Sequence, residues 1–138
     1  MRVAYVCADR GVPIFGRKGA SIHVQEVVRA LMARGARIEL FVANLGNGAP
    51  AGLEMVPVYL LSALPKRERA AREQEAIRAN RDLRDALERE GPFELIYERY
   101  SLWSFAGMEY ARDTEVPGLL EVNAPLIQEQ VEPVQTSI

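Results

Sequence analysis

Residues 2–8 read Arg-Val-Ala-Tyr-Val-Cys-Ala, apolar without alternation as far as Asp9. A run of that kind suits a β-strand covered on both faces, and such strands belong to parallel sheets with helices above and below. The rest of the chain keeps to this pattern. Residues 9–18 contain Gly11, Pro13 and Gly16 and form a loop. Helical spacing follows over 19–34, with Ile22, Val27, Val28, Leu31 and Met32 as the apolar stripe, Ser21 as N-cap and Gly35 just past the end. A second strand covers 37–43. The glycine-bearing loop 44–52 leads to a third strand over 55–61. Pro57 inside it lacks the N–H that a ladder needs, which places this strand at a sheet edge.

A long helix opens at Pro65 and runs to about Glu90, stopped by Gly91-Pro92, with Ala76, Leu83 and Leu87 as its buried face. A fourth strand over 93–98, a helix over 101–114 with Leu102, Phe105, Ala106 and Met108 as apolar positions, and a fifth strand over 117–122 complete the pattern. Residues 131–138 form an irregular tail. Strands alternating with helices predict an α/β fold: a doubly wound, Rossmann-like parallel sheet of order 3-2-1-4-5 with helices on both faces. One connection is tight. Residues 44–54 fall short of the usual length of a parallel crossover, so either a loop crossover or an antiparallel edge is expected there.

At 138 residues, 49% hydrophobic and 26% charged, the chain suits one soluble globular domain or part of one. The net charge of −2 argues against a dedicated nucleic-acid binder. A single cysteine, Cys7, excludes an internal disulfide, and with only His23 besides, a metal site would need mostly carboxylate ligands. The first residues lack the apolar core of a signal peptide, which fits a cytoplasmic protein. The helix 65–90 interleaves basic and acidic residues. Solvated ion pairs are the expected use of that face, with a peripheral place at the inner surface of a membrane as the alternative.

Two familiar phosphate motifs fail. Gly11-Val-Pro-Ile-Phe-Gly16 is followed by Arg17 and Lys18 where a P-loop needs Lys and Ser or Thr, and no Gly-x-Gly-x-x-Gly is present. What remains is a glycine loop at the carboxyl edge of the sheet, where doubly wound folds bind ligands. Gly16 and Gly19 permit close backbone approach, and the helix start offers unpaired N–H groups to an anion, with Arg17 and Lys18 adding charge. His23 in the first turn, Arg99 after the fourth strand and Asn123 after the fifth are drawn to the same edge. A connecting turn, a solvated arginine and a turn-shaping asparagine are their plain alternatives.

Gly19-Ala20-Ser21-Ile22-His23-Val24 with Glu26, then Tyr97-Glu98-Arg99-Tyr100-Ser101, then Leu120-Glu121-Val122-Asn123-Ala124-Pro125-Leu126 resemble the N-terminal domain of family 4 glycosyltransferases, over residues 1 to about 130. The resemblance implies half of a two-domain GT-B fold. It implies transfer of a sugar from a nucleotide-sugar donor to an acceptor with retention and without a metal or other cofactor. It puts the donor diphosphate near Gly16, Gly19 and Ala20, and the acceptor near Lys18, His23, Arg99 and Tyr100. It implies a place near the reacting centre for Asn123, where the family often has a histidine.

The donor-binding half that the resemblance calls for is missing from the sequence. The expectation is a piece of a larger enzyme, inert alone, whose fifth strand is an open edge prone to self-association. The acceptor, whether glycan, lipid, protein or small molecule, stays open. Two other readings stand beside this one: a stand-alone flavodoxin-like module binding a nucleotide or flavin, and a non-catalytic partner subunit of a split enzyme.

Overall fold

The computed structural model describes residues 1–61 and 69–123. Its elements are β1 (Arg2–Cys7), α1 (Gly19–Ala33), β2 (Arg37–Val42), β3 (Val58–Leu60), α2 (Arg69–Glu90), β4 (Leu95–Arg99), α3 (Ala106–Asp113) and β5 (Gly118–Glu121). The five strands form one sheet of order β3-β2-β1-β4-β5, and every neighbouring pair is parallel. This is the doubly wound arrangement the alternation predicts.

Side chains leave a strand to opposite faces in turn, so an apolar run serves two cores. On β1, Val3, Tyr5 and Cys7 face α1 and pack with Val24, Val28, Ile38, Leu40 and Val42. Ala4 and Val6 face α2 and α3 and pack with Leu83, Leu87, Ile96 and Tyr110. The residues at β1 positions 3–7 are completely buried. Burying each Val or Leu of these layers contributes about 1.5–3 kcal/mol. Ala76, Leu83 and Leu87 are buried on α2 as its spacing predicts.

The edge position of β3 follows from Pro57, which lies just before it and accepts a hydrogen bond on its carbonyl from the Leu40 N–H at 2.9 Å. The tight connection resolves as a loop crossover, since β2 and β3 are parallel in register Leu40 with Val58. Gly35 adopts φ +92°. Its N–H reaches the Met32 carbonyl and the Ala36 N–H reaches that of Leu31, a Schellman end that needs a left-handed residue.

Three expectations need correction. Ser21 does not cap α1. The cap position is Lys18, with no side-chain bond, and Ser21 lies buried within the first turn. Of the expected stripe of α1, Val28 is buried and Val27, Leu31 and Met32 pack against the core, but Ile22 is exposed and the buried positions also include Ser21, Val24 and Gln25. Gln25 is drawn inward because its amide closes carbonyls of the β1–α1 loop. The third helix does not start at residue 101. Residues 101–105 form a turn, Leu102 and Phe105 are exposed, and α3 begins at Ala106. The helix start expected at Pro65 and the tail at 131–138 lie outside the described residues, as do Ala124, Pro125 and Leu126.

Candidate functional site

The loop after β1 is a packed part of the domain. Val12, Ile14 and Phe15 are buried in the α1-side core. Gln25, itself buried, donates its amide N–H groups to the carbonyls of Ile14 (2.8 Å) and Gly16 (3.0 Å). The loop also bonds to the segment after β2, through the Ile14 N–H to the Asn44 carbonyl (3.1 Å) and the Phe15 N–H to that of Leu45 (3.0 Å). Gly16 sits tightly in this packing, since a Cβ there would lie 3.0 Å from Pro13 Cγ and from Ser21 Oγ and would push them by a few tenths of an ångström. Gly19, the first residue of α1, is exposed and a Cβ on it would meet nothing. The first N–H groups of α1 have no carbonyl one turn earlier to bond, and no side chain caps them. An anion reaching Gly19 and Ala20 therefore meets backbone donors and the positive end of the helix dipole.

One turn along α1, His23 points at β5. Its Nε2 lies 2.9 Å from Glu121 Oε2. The same carboxylate oxygen accepts from Arg99 Nη1 at 3.1 Å, and Oε1 accepts from the Tyr97 hydroxyl at 2.7 Å. With its amide oriented to satisfy both neighbours, Asn123 donates to Glu121 Oε2 and accepts from Arg99 Nη1, each at 3.2 Å. His23, Arg99 and Asn123 thus meet on one carboxylate. Arg99 is buried and Glu121 half-buried, so the pair holds its geometry, while the His23 ring is half exposed. Burial, followed by the bond to Glu121, pushes the Tyr97 hydroxyl up to about 12. Burial pushes the Cys7 thiol up to about 11, leaving it a packing residue of the core.

The remaining expected residues lie on the same rim with fewer contacts. Lys18 is exposed, and its carbonyl accepts the Ile22 N–H at 2.9 Å. Tyr100 is half-buried and its N–H extends the ladder to the Glu121 carbonyl at 2.8 Å. The hub residue Glu121 carries no local signal as a site residue. It looks like one more strand position until β4 and β5 are paired. Its register partner, Arg99, was the available clue.

Sequence reasoning also missed the opposite face of β4. Glu98 is fully buried toward α3. Its Oε2 accepts from the Ser104 hydroxyl at 2.6 Å, and the backbone N–H of Met108 also favours the charged carboxylate. Oε1 has no partner. Burial dominates and raises its pKa to about 7.

No protein-family model and no curated protein matches the chain. Solved structures do share its fold. The C-terminal domain of PF1911 hydrogenase from Pyrococcus furiosus is 14% identical, with 87% of this chain and 90% of that chain covered at a TM-score of 0.58. Acinetobacter baumannii MurG is 15% identical, with 88% of this chain and 33% of that one covered at 0.53. The glycotransferase of kitacinnamycin is 16% identical, with 99% and 34% covered at 0.56. The chain thus spans about a third of the length of the two transferases. In fold it is a Rossmann-like α/β domain, a fold it shares with the hydrogenase domain and with a part of each transferase, and a fold alone does not decide an activity. Among the described residues no helix is long and apolar enough to cross a membrane.

Proposed function

We propose that this domain is the acceptor-side half of a retaining, family 4 glycosyltransferase that works against a donor-binding lobe. The observation that carries the reading is the convergence of His23, Arg99 and Asn123 on Glu121, one helical turn from the open backbone at Gly19. The diphosphate of a nucleotide sugar rests against the amides of Gly19 and Ala20, with the Gly16 turn behind them. Lys18, His23, Arg99 and Tyr100 bind the hydroxyls of the acceptor. Asn123 sits nearest the reacting carbon. Glu121 orients Arg99, His23 and Asn123 and offsets the charge of Arg99, which makes the rim polar rather than strongly cationic. Such a rim suits neutral hydroxyl groups.

No metal or other cofactor takes part in this scheme. The departing diphosphate needs donors on several sides in a closed site, and α1 supplies one wall. Catalysis therefore requires the second lobe. A second reading is a stand-alone module binding a nucleotide or a protein partner; the same fold occurs in the C-terminal domain of a hydrogenase, so it is not confined to glycosyltransferases.

Release of nucleoside diphosphate from a panel of nucleotide sugars separates the two. The chain alone is expected to release none, and the chain joined to or mixed with a donor lobe is expected to transfer. Arg99→Ala and Asn123→Ala are expected to abolish the joint activity. Turnover by the chain alone defeats the half-enzyme reading, and tight binding of a mononucleotide by it selects the stand-alone module.

A further inference from the structure

Glu98 is fully buried, and its neighbours are uncharged. Val6 of β1 and Leu120 of β5 are its register partners in the sheet. Gly107 of α3 leaves no room for a side chain beside Oε1. The Ser104 hydroxyl covers Oε2. Glu109 and Asp113 of α3 turn instead to Arg84 of α2. Among the described residues, burial, the Ser104 hydroxyl and the Met108 N–H are what act on this carboxyl, and no cation does. A carboxylate formed here has one oxygen without a donor and no countercharge.

The weakest wall of this enclosure is the turn at residues 101–105. β1 and β5 are held by the ladders, and α3 by its own helix bonds. The turn is fixed at its ends. The Tyr100 N–H bonds the Glu121 carbonyl, and the buried amide of Asn80 accepts the N–H groups of Phe105 (2.9 Å) and Ala106 (3.0 Å). Between these ends, the Ser104 N–H reaches the Ser101 carbonyl at 3.1 Å, Asn80 donates to the Trp103 carbonyl at 2.7 Å, and Glu98 takes the Ser104 hydroxyl.

Three features oppose the closed turn. Trp103 has φ +71°, a left-handed backbone that a bulky side chain rarely adopts. Ser101 Oγ, like Glu98 Oε1, is buried without a partner. Leu102, Trp103 and Phe105 are already exposed, so moving the turn gives up little apolar burial.

We propose that this turn is a proton-operated switch, closed over neutral Glu98 and released, with Trp103, when Glu98 gives up its proton. The proton passes to solvent, and the carboxylate gains the water it lacks when buried. With the turn closed, burial raises Glu98 to about 7, whereas a carboxyl open to water ionises near 4.5. Raising the pH through that interval therefore favours the open turn by on the order of a hundredfold, and the gain is complete above about pH 8. The switch is independent of the sugar-transfer reading.

Trp103 is the only tryptophan, so its emission and its quenching by acrylamide report on the turn. Both are followed from about pH 5 to about pH 9, with far-UV circular dichroism as the check on the fold and carbon NMR of the glutamate carboxyls alongside. In the unsubstituted chain the emission should move to the red and the quenching constant should rise about twofold or more, reversibly. The helix signal should stay constant while one glutamate carboxyl titrates over the same interval. Glu98→Gln cannot ionise and should keep the low-pH emission and quenching throughout.

Constant emission and quenching in the unsubstituted chain overturn the proposal, as does a change that survives in folded Glu98→Gln. A change that comes with loss of the helix signal also overturns it, because the whole fold has then opened. If the variant does not fold, the unsubstituted chain decides. A change at Trp103 with no glutamate carboxyl titrating beside it overturns the switch, and the two together uphold it.

Discussion

Arg99 and Glu121 are register partners across the β4–β5 ladder, and their side chains meet at 3.1 Å. The ladder thus brings together an acid and a base, each the last residue of its strand. Tyr97, two residues earlier on the same face of β4, closes the second oxygen of the carboxylate. Removing Glu121 leaves Arg99 charged, buried and unpaired. Glu121→Ala is expected to lower stability by about 2–3 kcal/mol, the scale for losing charge-assisted bonds at a half-buried site. Urea unfolding should show this as a lower midpoint at constant slope. In Glu121→Gln, the Tyr97 hydroxyl should also titrate below its present value of about 12, because the negative charge that raises it is gone. Phenolate absorbance checks that directly.

Asn80 joins α2 to the turn before α3, and its Oδ1 serves as the cap of α3 from outside the helix. Phe105 at the cap position makes no side-chain bond of its own. Asn80→Leu keeps the volume and removes every bond, leaving buried N–H groups unpaired, and is expected to cost about 2–3 kcal/mol. Trp103 emission should move toward that of a solvated indole well before global unfolding. Identical emission in the folded variant would show that the turn does not depend on this amide.

The two helix ends offer a paired comparison. Gly35 at φ +92° and Glu115 at φ +59° occupy the same left-handed position after α1 and α3. Behind Glu115, the Val116 N–H reaches the Ala111 carbonyl at 3.0 Å, as Ala36 does to Leu31. Gly35→Ala is expected to destabilise by about 1–2 kcal/mol and Glu115→Gly to stabilise by about 0.5–1 kcal/mol. Thermal melts of the two variants should shift in opposite directions.

Much of the fold was legible because its signals are local. Val3 to Cys7 is unbroken by polar residues, Pro57 marks the edge strand, and Gly35 marks a helix end. Each needs only its neighbours in the chain. The convergence of His23, Arg99 and Asn123 was legible through one topological rule, that ligand groups gather where parallel strands end. What escaped depends on distant partners. The turn at residues 101–105 reads as helix by its apolar residues, and only Asn80 and Glu98 hold it otherwise. Ser21 reads as the N-cap of α1 and Gln25 carries no apolar signal, yet both are buried, with Gln25 bonded to the loop over it. Glu121 bonds nearby Asn123, but its other partners, Arg99, Tyr97 and His23, lie 22, 24 and 98 positions away, so its neighbours in the chain reveal little of its role.

Glu98 ties pH to the same turn. Its pKa in the folded protein is raised to about 7 from an ordinary 4.5, by burial first, while the Ser104 hydroxyl and the Met108 N–H pull the other way. Between those values the native protein holds a proton that the unfolded chain has released. Stability then falls as pH rises. The contribution of this group is complete below about 4.5, declines through the interval and is gone above about 7. The neighbouring backbone leaves little room for relief, since a Cβ on Gly107 would stand 2.6 Å from Glu98 Oε1. Glu98→Gln keeps an oxygen for Ser104 and Met108 and removes the ionisation. Relative to this variant, the unsubstituted protein should lose urea midpoint between about pH 5 and about pH 8. A midpoint difference that is the same at both pH values would show that Glu98 carries no proton into the fold.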